Sequence, residues 1–180
     1  MVDRDDAVIV TQWRTKMLLK HYGLKMPFWL VNENNWALEL EDRTLNFILT
    51  PYAHFPGAIV TLDTHTEVLF TSDLLGGFTE DFYLFAKDES YFEAIRPFHE
   101  HYMPSKEVLG YAMPEIELLN AKLIAPQHGS LIPEPLIKGM ITRLMNLDCS
   151  LYLLAKNDTN IRKLSRLNQS LQDITKTMLL

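Results

Sequence analysis

The 180-residue chain carries 17 Lys and Arg against 23 Asp and Glu, a formal net charge of −6, and 47% of its residues are hydrophobic. This is one domain's length with enough apolar content for a sizeable core, and the acidic balance excludes a nucleic-acid surface built on clustered Lys and Arg. A single cysteine, Cys149, excludes an internal disulfide, no basic start leads into an apolar run as in a signal peptide, and no apolar stretch reaches the roughly 18 residues of a membrane span, so a cytoplasmic protein is expected.

In chain order, "DAVIVT" (6–11) is a short β-branched run that leads into "QWRTKMLLKHYG" (12–23), where Trp13, Met17 and Leu18 fit a helix ended by Gly23. Three strands follow at "FWLV" (28–31), "WALEL" (36–40) and "TLNFILT" (44–50), separated by the polar breaks "NENN" and "EDR". "AIVTLD" (58–63) and "EVLFTS" (67–72) flank "THT" as a hairpin, and the second runs into "DLLGGF", which puts Asp73 at a strand end. From Tyr83 to about Asn120 the pattern is mostly helical, interrupted at Pro97 and resuming after Pro104. "AKLIAP" (121–126) is a further β-like run that delivers "QHGS" (127–130), so His128 also lies just past a strand. Strands alternating with helices, with polar residues at strand ends, predict an α/β layered fold whose site lies along one sheet edge.

The last part changes character. From about Leu147 turn formers almost vanish, and Leu154, Asn157, Ile161, Leu164, Asn168, Leu171, Thr175 and Met178 follow heptad spacing. An Asn on an apolar seam fixes register and favours two parallel strands at a cost in stability, so residues 147–180 read as a dimerising coiled-coil-like helix, with a single amphipathic helix lying back on the domain as the alternative.

Three polar residues, His54, Asp73 and His128, stand at strand ends, where a layered α/β fold gathers its functional groups. Taken singly each has an ordinary reading: a core or surface histidine, a helix N-cap aspartate, a loop histidine. Taken together they are two imidazoles and a carboxylate, the donors that iron or zinc takes, and a carboxylate can bridge two cations. His99 and His101 are two apart on a helix and point in different directions, His65 lies in the hairpin turn, and His21 lies near a helix end; all four are assigned structural or solvated roles. The chain has no Gly-rich phosphate loop, no G-x-S-x-G and no paired Cys motif, which leaves nucleotide binding, serine hydrolysis and thiol chemistry without a motif.

The stretch "TPYAHFPGAIVTLDTHTEVLFTSDLLGGF" (50–78), the helical "YFEAIRPF" (91–98) and "LIAPQHGSLI" (123–132) together resemble the metallo-β-lactamase-like domain of flavodiiron proteins and the related oxygen-binding di-iron proteins. The spacing His54-x18-Asp73, followed by the histidine of "PQHG", is similar to that family's second ligand group. The resemblance implies a metallo-β-lactamase-like αββα sandwich, or its C-terminal portion, over residues 1–146. It implies a non-haem site of two irons, with His54 on one, Asp73 bridging both and His128 on the other, and a chemistry of reversible binding or reduction of O2 or NO. The family's first ligand group, an H-x-E-x-D-H motif at the end of an earlier strand, does not occur in these 180 residues, so the site is expected to be incomplete without an upstream segment or another chain.

Where the flavodiiron family continues into a flavodoxin-like domain, this chain passes into its heptad tail, which looks like the signalling helix that joins a sensor to an output domain. A gas sensor relaying its state to an output domain through a homodimer is therefore expected rather than an enzyme. The rivals are an O2 or NO reductase fed by a separate donor, a zinc hydrolase using the same pocket, and a metal-free interaction module.

Overall fold

The computed structural model describes residues 7–80, 83–150 and 152–153. Strand β1 (Ile9–Thr11) leads into helix α1 (Trp13–Leu19), which begins where the Gln12 side chain accepts the Arg14 N–H at 2.9 Å. A 3-10 turn at Lys20–Tyr22 extends it to Gly23, whose φ of 67° is the left-handed conformation that glycine adopts without steric cost. Strand β2 (Phe28–Leu30) then pairs parallel with β1.

The three strands expected in succession therefore divide between two sheets. After β2 a 3-10 turn at Val31–Glu33 buries Val31 completely, and Asn35 and Trp36 take left-handed φ values of 51° and 58°, which redirect the chain before β3 (Ala37–Glu39). Strands β3, β4 (Thr44–Leu49), β5 (Ile59–Asp63) and β6 (Val68–Ser72) form an antiparallel meander, of which the β5–β6 hairpin around the THT turn was expected. Strand β7 (Leu123–Pro126) adds parallel to β6, and β8 (Ile132–Pro133) closes a six-stranded sheet in the order β3-β4-β5-β6-β7-β8.

Between β6 and β7 the chain crosses over one face of the sheet through helices α2 (Phe92–Tyr102) and α3 (Lys106–Leu118). Segment 83–91 is not α-helical, contrary to expectation: Phe85 bridges Leu131, and Asp88 accepts the Ser90 N–H at 2.8 Å to set a 3-10 turn from which α2 starts. Pro97 does not interrupt α2, nor Pro114 α3. A proline inside a helix forgoes one backbone hydrogen bond, and here the buried Ile95 and Phe98 on either side of Pro97 anchor α2 to the core. A fourth helix, α4 (Glu134–Met145), has no counterpart among the expected elements, although Pro135 in its first turn and Leu136, Ile137, Met140, Ile141 and Leu144 at helical spacing mark it.

Leu62, Leu69 and Ile124 stand opposite one another on β5, β6 and β7 and face this helical layer, whose buried side chains include Ile95, Leu109, Met113, Ile116, Met140, Ile141 and Leu144. On the opposite face, Trp29 of β2 packs near Phe47 at 6.3 Å between ring centroids, and Phe70 stays 49% exposed. The architecture is the metallo-β-lactamase-like mixed α/β arrangement, with a six-stranded sheet under its helical layer and a separate two-stranded sheet, β1–β2. The heptad positions Leu154 to Met178 lie outside the described residues.

Leu69 is fully buried in the central row. Leu69→Ala is expected to lower unfolding free energy by about 2–5 kcal/mol through lost burial and the cavity left behind, read as a shift in the urea midpoint with an unchanged slope.

Candidate metal centre

Parallel strands finish at the same edge, so pairing β6 with β7 brings the residues after both strands together. Gln127 N–H donates to the Ser72 carbonyl at 2.7 Å, which sets Asp73 and His128 side by side. His54 reaches the same edge from the loop between β4 and β5. That loop is closed by Thr50 N–H on the Ala58 carbonyl (2.9 Å) and Tyr52 N–H on the Phe55 carbonyl (2.8 Å). Helix α1 holds it from outside: Thr15 Oγ1 donates to the Gly57 carbonyl at 3.2 Å and Arg14 to the Pro56 carbonyl at 3.3 Å. A Cβ at Gly57 would displace the Gln12 and Thr15 side chains that meet the loop here.

The three residues singled out in the sequence thus meet. His54 Nε2 lies 3.0 Å from Asp73 Oδ2, and His128 Nε2 lies 3.6 Å from Asp73 Oδ1; each side chain is about a third exposed. His128 Nδ1 donates to the Gly77 carbonyl at 3.1 Å, which turns the opposite nitrogen, Nε2, toward Asp73 Oδ1, where a proton or a cation between the two would hold them together. An open cavity of about 370 Å³ adjoins the group, lined by Ala53, His54, Gly57, Ile59, Thr71 and Asp73.

The donor chemistry fits a first-row transition metal. Ligand bonds of about 2.0–2.2 Å place two donors of one ion roughly 3–3.5 Å apart, close to both His–carboxylate separations. The imidazoles address different carboxylate oxygens, so the arrangement offers two half-sites sharing Asp73. Among the described residues no three His, Cys, Asp or Glu side chains close around a single point as a finished cage.

Aromatic rings wall the group. Phe98 meets His54 edge-on at 5.5 Å and His128 at 5.0 Å, Tyr102 stacks on Phe98 at 4.9 Å and meets His54 at 6.0 Å, and Phe78 stacks on His128 at 5.5 Å. Sequence reasoning missed Phe98 and Tyr102 as site residues, although their i, i+4 spacing on one helix marks a shared face. Of the four histidines set aside, His21, His65 and His101 are exposed, and His99 is completely buried. Burial pushes the His99 pKa down to about 4.

This sheet, its crossover helices and a His/Asp/His group at the strand ends define a metallo-β-lactamase-like domain. Residues 1–129 match the model of the family described as ODP family beta lactamase, and the chain belongs to that family. It is 34% identical over 105 residues to the type A flavoprotein of Rhodobacter capsulatus, covering 53% of this chain and 22% of that one. The apo state of the chemotaxis sensor ODP from T. denticola superposes with a TM-score of 0.75 at 22% identity, over 83% of this chain and 63% of the sensor. The flavodiiron protein from Giardia intestinalis superposes at 0.67 and 20% identity, over 77% of this chain and 35% of that one. The chain spans about a third or less of the length of the curated relatives it matches.

Two outcomes follow from this geometry. A Cβ at Gly76 would stand 2.5 Å from His128 Cε1 and 2.8 Å from its Nε2. Gly76→Ala should displace the ring and weaken Co2+ binding about tenfold or more, measured by titration of the cobalt absorption. For His99, the unfolded chain takes up a proton near 6.5 and the folded one only near 4, so the unfolded state binds more protons in between. Stability is then full above about pH 6.5 and falls as pH drops toward 4, by up to about 1.4 kcal/mol per pH unit, read from urea midpoints across that range.

Proposed function

We propose that residues 1–146 form the C-terminal portion of a sensor domain that binds O2 or NO at a non-haem di-iron site, and that residues 147–180 relay its state to an output domain as a homodimeric helix. The observation that carries the reading is the placing of His54 and His128 on opposite oxygens of one carboxylate. In it His54 holds one iron, His128 the other, and Asp73 spans both; an upstream segment or another chain supplies the remaining ligands. A pair of ferrous ions would supply the electrons that reversible O2 binding draws on. His128 is aimed by its Nδ1–H bond to Gly77, and Phe78, Phe98 and Tyr102 pack against the two imidazole rings and restrain their orientation. Support comes from the family match and from the superposed structure named as a chemotaxis sensor. No described helix is long and apolar enough to cross a membrane, and the reading takes the sensor to be cytoplasmic.

The likeness to a type A flavoprotein and to a flavodiiron protein favours a second reading, an O2 or NO reductase fed by a separate electron donor. Iron analysis and O2 uptake separate the two. The sensor reading expects iron in the purified protein and an absorption change when O2 meets the reduced form, without sustained uptake; steady uptake with a reductant selects the reductase, and zinc in place of iron selects hydrolysis. In the same protein Asp73→Ala is expected to abolish metal at both positions and His128→Ala to spare one. Equal losses would remove the bridging role.

A further inference from the structure

His99 has both ring nitrogens committed to backbone. Its Nδ1 lies 2.8 Å from the Ile95 carbonyl one turn back in α2, and its Nε2 lies 3.0 Å from the Leu75 amide in the turn that follows Asp73. A carbonyl can only accept and an amide N–H can only donate, so the ring is neutral, carries its hydrogen on Nδ1 and offers the Nε2 lone pair to Leu75.

Leu75 is fully buried and has a φ of 67°, a left-handed conformation disfavoured for a branched L side chain. A turn in that state persists only where its surroundings hold it. Within the turn, Leu74 N–H reaches the Thr71 carbonyl at 3.1 Å and Gly76 N–H the Asp73 carbonyl at 3.0 Å. Helix α2 holds the turn at two further points, the Ala94 carbonyl, which accepts Phe78 N–H at 2.8 Å, and His99. The acceptor that the Leu75 N–H finds on α2 is the His99 side chain, and an apolar residue at position 99 would leave this buried N–H without that partner. The same helix presents Phe98 and Tyr102 to His54.

We propose that His99 is a positioning residue: by accepting the Leu75 N–H it fixes the 73–77 turn against α2, and with it the direction in which Asp73 presents its two oxygens to His54 and His128. The consequence for metal rests on the proposed function; the hold on the turn does not.

The test uses the full chain, Co2+ as the metal probe, and two variants. His99→Phe keeps a buried ring and removes the acceptor, whereas His99→Gln keeps an acceptor at similar reach. If His99 positions Asp73, His99→Phe loses hydrogen-exchange protection at the Leu75 amide, weakens Co2+ binding about tenfold or more and alters the cobalt absorption, while His99→Gln stays within about threefold of the parent protein. If His99 only fills space, the order reverses, with Phe near the parent and Gln worse, and that result overturns the proposal. Should His99→Phe fail to fold, the parent protein and His99→Gln decide: a 15N–15N coupling across the Leu75 N–H to His99 Nε2 bond in the parent together with retained Co2+ binding in His99→Gln supports the role, and a missing coupling, or Co2+ binding lost in His99→Gln but present in the parent, overturns it. A parent protein that takes up no Co2+ sinks the metal reading, and the Leu75 exchange rates in the two variants still decide what His99 does.

Discussion

The parallel pairing of β6 with β7 is the constraint on which the rest of the structure depends. A parallel neighbour cannot be reached by a tight turn, so the chain must leave the C-terminal end of β6, cross a sheet face and return. That crossover carries α2 and α3, and burying their apolar sides against Leu62, Leu69 and Ile124 makes the core. The same pairing makes the two strands finish at one edge, which is why Asp73 and His128, 55 residues apart, become neighbours joined through the 2.7 Å bond from Gln127 to Ser72. Core and site are thus two results of one strand arrangement.

Helix α2 links them. Its buried side holds Ile95 and His99, its site-facing side holds Phe98 and Tyr102, and its start is set by the turn at Asp88. Across the sheet, by contrast, the cover among the described residues is slight: Trp29 reaches Phe47, but Phe70 and the Trp13, Met17 and Leu18 side chains of α1 remain about half exposed. Helix α1 contributes through its polar side instead, where Arg14 and Thr15 grip the backbone of the loop that carries His54.

Much of this is legible in the residues. The period-2 runs at 44–50, 58–63 and 67–72 are recovered as β4, β5 and β6, and Asp73 and His128 follow strands as read. Helix α4 follows directly on β8 and has no counterpart among the expected elements, and Pro97 suggests a break in α2 that the buried side chains on either side of it override. The spacing of His99 from His101 assigns it only a structural or solvated role, and its full burial answers that alternative in favour of structure.

By itself, then, the sequence determined the strand and helix periodicities, the acidic composition and the three donors at strand ends, because alternation, turn residues and donor chemistry are local properties of the chain. Only the tertiary structure decided which strands pair, that β2 leaves the main sheet for β1, which carboxylate oxygen each imidazole faces, and that the Leu75 amide finds its acceptor on a helix 24 residues away. Those are distances between segments remote in sequence, set by how side chains pack in the core, and no local pattern encodes them.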